Sequence, residues 1–262
     1  MNKFHHDFKK RFGQNFLQGD KWPKKIVHYL NPQPEDTVLE IGPGQGALTE
    51  KLVASAAQIF AVEIDTDLFP LLLAKFAQNS NFKLIKQDIL QVDIDKAGEK
   101  AYSVVGSLPY NIAKKIIEKF LLADNKPQKM IFIIQKEVAQ DYTAMPTKAS
   151  FLSMFAQVYS DVKYLHTIKS TEFYPVPQVD GAIIEFSNIK PKFDNAYEIQ
   201  RFIKAGYLQP RKKLSSALAS QGFDKALVEN KLVELGLTAT ARAGELSLDN
   251  WHQLYLLVHN TK

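Results

Sequence analysis

The sequence has no cysteine among its 262 residues. That absence excludes a disulfide framework, a thiolate zinc site, an iron–sulfur cluster and a cysteine nucleophile, and it fits a reducing cytoplasm. Long apolar runs are missing too. The longest, 68–77 (broken by Pro70 and Lys75) and 130–134, fall far short of the ~20 residues that span a bilayer, so no membrane segment is expected. Residues 1–10 are basic but no apolar stretch follows them, which argues against a cleaved secretory signal. Glycine and proline are held to 12 each beside 45% hydrophobic and 23% charged residues, which argues against collagen-like, repeat or disordered architectures. At about 150 residues per domain, the length allows one domain and a smaller second.

The net charge of +5 is unevenly spread. Residues 1–25 carry +5, residues 26–189 carry −4 and residues 190–262 carry +4. Basic ends around a mildly acidic middle suit a polyanion gripped by the termini while the centre does other work. A plain solubility charge is the alternative.

From Thr37 onward, short apolar or β-branched runs alternate with helical spacing. Residues 37–41, 58–63, 82–86, 101–106 and 130–135 read as buried strands, with helices over 48–54, 66–77 and 114–122 between them. Strand–helix–strand alternation predicts a parallel α/β sheet. Two further strands, 162–168 and 182–186, flank the Pro175 and Pro177 loop and would complete it. After Pro191 the strand signals stop, and 197–208, 212–221, 224–235 and 247–258 read as helices, with Asp224 as an N-cap and Gly222 and Gly236 as C-cap glycines. The domains are therefore drawn as 1–189, catalytic, and 190–262, helical.

The first strand runs into Glu40-Ile41-Gly42-Pro43-Gly44-Gln45-Gly46. Glycines at alternate positions let the backbone turn tightly and approach a ligand. The dinucleotide fingerprint is G-x-G-x-x-G, whereas here the third glycine comes one residue early, a spacing that suits S-adenosylmethionine, which has no pyrophosphate to place; a purely structural turn is the alternative. Glu63 closes the second strand, where a carboxylate meets the ribose of a bound nucleoside. Asp88 follows the third, where it could accept from the adenine amine. The fourth ends at Ser107-Leu108-Pro109-Tyr110-Asn111. Ser107 Oγ and the Leu108 carbonyl could accept from the exocyclic amine of a target adenine, and Tyr110 could stack on the flipped base. An ordinary strand-to-helix turn is the alternative there.

In order along the chain, Lys10-Arg11-Phe12-Gly13-Gln14-Asn15-Phe16-Leu17, the Gly42 loop, Glu63, Asp88, the Ser107 segment, Gln135–Ala139, Phe173-Tyr174-Pro175-Val176-Pro177-Gln178-Val179-Asp180, Gln209–Leu214 and Arg242–Ser247 resemble the KsgA/RsmA type of small-subunit ribosomal RNA adenine dimethyltransferase. The resemblance covers nearly the whole chain. It implies a Rossmann-like S-adenosylmethionine-dependent methyltransferase with a smaller helical RNA-binding domain, acting in the cytoplasm as a monomer. The implied reaction is dimethylation of two adjacent adenines in the 3′-terminal hairpin of 16S rRNA in the 30S subunit or its precursor, late in assembly. Asn15 and Leu17 would close over the methionine end of the cofactor, beside Gly42 and Gly44, and Phe173 would face Tyr110 across the target base. No metal is implied, and the six histidines are read as surface or packing residues. Lys9, Lys10, Arg11, Arg211, Lys212 and Lys213 are the densest basic runs and are assigned to RNA.

The chain departs from the family in four places. Ser107 stands where asparagine is usual, the usual Gly-Arg pair is missing around 149–154, Pro210 replaces a basic residue, and Gly244 stands where an acid is common. Two other readings stay open: an rRNA-binding assembly factor of weak or no catalytic activity, and the related 23S rRNA adenine methyltransferase. The glycine spacing disfavours a dehydrogenase.

Overall fold

The apolar runs of the sequence form one twisted sheet. The computed structural model describes residues 15–55, 57–93 and 101–259. In chain order the elements are β1 (Phe16–Leu17), α1 (Lys21–Leu30), β2 (Thr37–Ile41), α2 (Ala47–Val53), β3 (Gln58–Glu63), α3 (Phe69–Lys75), β4 (Phe82–Lys86), β5 (Tyr102–Ser107), α4 (Ala113–Leu122), β6 (Lys129–Gln135), α5 (Lys136–Tyr142), α6 (Phe151–Tyr159), β7 (Asp161–Ile168), β8 (Phe173–Tyr174), β9 (Gly181–Ser187), α7 (Ala196–Gly206), α8 (Leu214–Ala219), α9 (Lys225–Glu234) and α10 (Leu248–His259).

The main sheet has seven strands in the order β4-β3-β2-β5-β6-β9-β7, parallel from β4 to β6, with β9 antiparallel to β6. The chain steps outward from β2 to β4 and then crosses to the other side of β2 for β5. Loops leaving β2 and β5 therefore diverge, opening a crevice at the carboxyl ends of the strands. Central strands are covered on both faces, which explains their near-continuous apolar sequence: Met130, Ile131, Phe132, Ile133 and Ile134 of β6 are at most 1% exposed. Val38, Ile59, Val105 and Ile131 join Trp22, Ile26 and Leu30 of α1 and Leu48 and Leu52 of α2 in one core cluster. Each such aliphatic side chain contributes roughly 1.5–3 kcal/mol by leaving water.

Chain contacts define two compact units, residues 1–139 with 163–189, and residues 140–162 with 190–262. The sequence reading put 140–162 in the first domain. Those residues cluster instead with the second unit, and the hydrogen bonds give the reason. The Ala149 N–H donates to the Gly244 carbonyl at 3.1 Å, and the Lys190 and Lys192 N–H groups donate to Tyr159 and Val158. The Tyr207 hydroxyl lies 2.9 Å from the Ala149 carbonyl and 3.1 Å from that of Ala243, its single proton shared between them. Helix α6 starts in a reciprocal cap between Ser150 and Ser153. The second unit centres on Trp251, fully buried and edge-on to Phe202 at 5.8 Å.

Other differences from the sequence reading are local. The helix expected over 66–77 is a 3₁₀ turn, Thr66–Leu68, followed by α3, because Pro70 has no N–H to give and fits only the first helical turn. The helix expected from 212 begins at Leu214, with Lys213 as its N-cap, so the basic run precedes the helix. Asp224 caps α9 as expected, accepting the Leu227 N–H at 2.7 Å, and Gly222 and Gly236 follow the ends of α8 and α9 with positive φ.

Candidate active site

The site is built where strands stop. Leaving β2, the chain passes through Gly42, Gly44 and Gly46 at φ of 65, 57 and 81°, a region side chains disfavour. A Cβ on Gly42 would have only the Ser107 carbonyl nearby, at 3.9 Å, whereas one on Gly44 would strike the Phe16 ring at 2.7 Å. Gly42 thus borders open space and Gly44 lies beneath Phe16. The space is a cavity of about 310 Å³, lined by Asn15, Leu17, Gly42, Gly44, Glu63, Asp88, Ser107, Leu108, Tyr110 and Phe173 among others. The structure brings together every residue that the sequence assigned to cofactor and catalysis.

Glu63, at the end of β3, is 6% exposed. Its Oε1 accepts the Ile64 and Asp65 N–H groups at 2.8 Å each, and Oε2 is 3.4 Å from the Gly44 N–H. Burial raises its pKa and the backbone donors pull it back. Asp88, just past β4, accepts the Leu90 N–H on Oδ1 at 2.9 Å. After β5, the Leu108 N–H is tied to the Ile133 carbonyl at 2.9 Å, and the Pro109 carbonyl accepts from Ile112 and Ala113 as α4 begins. These bonds fix the segment that carries Ser107, Leu108 and Tyr110. The Tyr110 hydroxyl is buried with no hydrogen-bond partner among the described residues, and burial, with the charge of Asp180, raises its pKa.

Phe173 comes from a separate two-stranded ribbon in which β8 pairs antiparallel with β1, Leu17 opposite Phe173 and Phe16 opposite Tyr174. Gln18 extends it, its N–H donating to the Glu172 carbonyl and its side-chain amide to the Phe173 carbonyl, both at 2.9 Å. Lys21 pairs with Glu172 at 3.0 Å. Phe173 is 1% exposed and forms a wall of the cavity, close against Gly181. Below it, the Ser170 N–H and Lys169 hold the Asp180 carboxyl under the usual carboxylate range, fastening the end of the loop that contains Pro175 and Pro177.

Sequence reasoning missed Glu40. It lies on β2, 1% exposed, accepts from the Thr49 hydroxyl at 2.7 Å and lines the same cavity. Burial pushes its pKa up to about 8, with the Glu63 charge adding to the effect. An acid two residues before the first glycine, inside an apolar strand, was the available signal. In the second unit Arg211, Lys212 and Lys213 border a hollow with Ser216, Thr240, Arg242 and Glu245. Arg242 is a cation the sequence reading did not assign to RNA. Lys9, Lys10 and Arg11 lie outside the described residues.

The cavity fits S-adenosylmethionine. Among the described residues lining it there are carboxylates and backbone carbonyls but no lysine or arginine. Glu63 and Asp88, at successive strand ends, give this wall a negative character that suits a cationic ligand.

The family model for ribosomal RNA adenine dimethylase matches residues 5–260. A curated relative from Sulfurihydrogenibium sp. (strain YO3AOP1), named ribosomal RNA small subunit methyltransferase A, is 36% identical over 96% of each chain. The crystal structure of a dimethyladenosine transferase from Plasmodium falciparum aligns with a TM-score of 0.79 at 20% identity, over 94% of this chain and 98% of that one. That of the 23S rRNA methyltransferase ErmE aligns with a TM-score of 0.79 at 23% identity, over 93% and 99%. At those identities the two structures show the fold. The chain belongs to the ribosomal RNA adenine dimethylase family of S-adenosylmethionine-dependent methyltransferases, with the Rossmann-like α/β fold.

Proposed function

We propose that this enzyme dimethylates two adjacent adenines in the 3′-terminal hairpin of 16S rRNA, within the 30S subunit or its precursor, late in small-subunit assembly, as a monomer in the cytoplasm. The observation that carries this reading is the meeting of Ser107, Leu108, Tyr110 and Phe173 in one cavity with Gly42, Glu63 and Asp88. The name of the Sulfurihydrogenibium relative supports the small subunit as the target.

Asn15, Leu17, Gly42, Gly44, Glu63 and Asp88 hold the cofactor, which when bound supplies a methyl group already activated on a sulfonium. Glu63 accepts from the ribose hydroxyls and Asp88 from the adenine amine, while Asn15 and Leu17 cover the methionine end. The target amine is a poor nucleophile because its lone pair is delocalised into the ring. Ser107 Oγ and the Leu108 carbonyl accept its two N–H groups, which favours a tetrahedral nitrogen with its lone pair free. After the first transfer one N–H remains, so a single acceptor orients the second. Tyr110 stacks on the base and Phe173 backs the opposite wall. Positioning supplies most of the catalysis, and the proton that the nitrogen sheds at each transfer passes to water, so no general base or metal is required of the chain.

The first domain in this reading is the catalytic one and the second binds RNA. Arg211, Lys212 and Lys213, joined by Arg242, contact the phosphate backbone in the second unit, and Lys9, Lys10 and Arg11 do so at the start of the chain. Incubating the protein and labelled S-adenosylmethionine with purified 30S and 50S subunits that lack the modification tests the target. Label in 30S subunits alone is expected; label in 50S subunits, or in neither, would overturn it.

A further inference from the structure

Lys119 reaches the turn that carries Asp88 at the edge of the cavity. Helix α4 follows directly on the Ser107–Asn111 segment, and its core face is fully buried: Ile116, Ile117, Phe120 and Leu121 are all 0% exposed. Ile112 and Ile116, at its start, line the cavity. Near its other end, Lys119 reaches out sideways. Its Nζ donates to the carbonyl of Leu90 at 3.0 Å and to that of Val92 at 2.6 Å.

Those carbonyls belong to the turn that presents Asp88. The turn closes on itself, with the Gln91 and Val92 N–H groups donating to the Asp88 carbonyl at 2.9 and 3.2 Å and the Leu90 N–H to Asp88 Oδ1 at 2.9 Å. Asp88, Ile89 and Leu90 all line the cavity. A single turn has little intrinsic stability, and an ammonium bridging the Leu90 and Val92 carbonyls locks its orientation.

We infer that Lys119 is a positioning residue for recognition of the cofactor's base: by clamping the Leu90 and Val92 carbonyls it aims Asp88 at the adenine amine. The clamp also registers the turn against α4, the helix that starts from the amine-accepting segment. The inference rests on the assignment of Asp88 to the cofactor's adenine. A lysine that merely capped the turn for stability would affect every ligand of the cavity alike. One that aims Asp88 affects ligands that carry an exocyclic amine.

Calorimetric binding of S-adenosylhomocysteine and of its 6-oxo counterpart, S-inosylhomocysteine, separates the two. Lys119→Met keeps the aliphatic stem and removes the donor. It is expected to weaken S-adenosylhomocysteine about tenfold, the loss of one charged hydrogen-bonding relay, and to leave S-inosylhomocysteine within about twofold of the parent. Lys119→Arg, which retains a donor fork, is expected to restore the parental preference for adenine. Equal weakening of both ligands in Lys119→Met, or a parental ratio, would overturn the role of Lys119. Asp88→Asn serves as the reference, because its amide can donate to the 6-oxo group and should shift the ratio toward S-inosylhomocysteine. An unchanged ratio in Asp88→Asn would overturn the assignment of Asp88 itself, whereas a shifted ratio there beside a parental one in Lys119→Met would overturn Lys119 alone.

Discussion

In the function proposed above, Glu63 and Ser107 carry distinct parts of the chemistry, Glu40 lines the same cavity, and each can be changed alone. Glu63→Ala removes the acceptor proposed for the ribose, so S-adenosylmethionine affinity is expected to fall by ~1–3 kcal/mol in a folded protein, as titration calorimetry would read. An unchanged affinity would withdraw Glu63 from the site. In the proposed role, Ser107 acts in the transition state more than in the ground state. Ser107→Ala is therefore expected to lower single-turnover methylation by ~10²-fold with cofactor binding kept, while Ser107→Asn retains or raises the rate. Parental turnover in Ser107→Ala would leave the Leu108 carbonyl as the sole acceptor. Glu40 makes a pH prediction. Its pKa is about 8 folded against an ordinary 4.5, so across that window the folded chain holds a proton that the unfolded chain releases. Its contribution to stability is largest below the window and is lost as pH rises through it. Glu40→Gln mimics the protonated form, so the stability of the parent relative to this variant should decline from pH 5 to 8 in denaturant melts; a constant difference would contradict the burial argument.

At the scale of elements, the strands were the most legible part of the sequence, since burial on both faces leaves an unbroken apolar signature that few other structures produce. β2, β3 and β4 end where the sequence reading ended them, and these ends place Gly42, Glu63 and Asp88. The helices were read less well for identifiable reasons. Three lysines and a proline interrupt the apolar pattern of residues 21–30, yet Trp22, Ile26 and Leu30 form the stripe of α1. α6 is apolar nearly all round, and its start is marked only by Ser150 and Ser153. The pairing of β1 with β8 rests on a few residues brought together from distant parts of the chain, which no local pattern announces. The same holds for the departures around Ala149 and at Gly244, far apart in sequence and adjacent in the structure. A Cβ on Gly244 would sit 2.8 Å from the Ala149 carbonyl. Gly244→Ala is therefore expected to cost ~1–3 kcal/mol of stability by overpacking, read from the denaturation midpoint, and to leave cofactor affinity unchanged. No loss of stability would mean that the Ala149 segment yields freely.

Over the whole molecule, the charge count legible in the sequence matches the division of labour proposed here. The acidic middle carries a cavity lined by carboxylates for a cationic cofactor, and the basic C-terminal region carries Arg211, Lys212, Lys213 and Arg242 around one hollow. Each phosphate neutralised contributes about 0.7–0.9 to the slope of log affinity against log salt. Changing Arg211, Lys212 and Lys213 together to alanine should flatten that slope by about 2 for 30S subunits and leave S-adenosylmethionine affinity alone. A parental slope would return them to a solvated surface. Among the described histidines, His166 lies 6.0 Å from both Trp22 and Tyr29, and His252 stacks on Phe193 at 4.0 Å, whereas His5 and His6 lie outside the described residues. The most direct test of the central claim is mass spectrometry of the 3′-terminal fragment of 16S rRNA after reaction with 30S subunits lacking the modification. Two neighbouring N6,N6-dimethyladenosines with the parent enzyme, and unmethylated adenines with Glu63→Ala at limiting cofactor, are the expected result; methyl groups on any other nucleotide, or none with the parent, would contradict it.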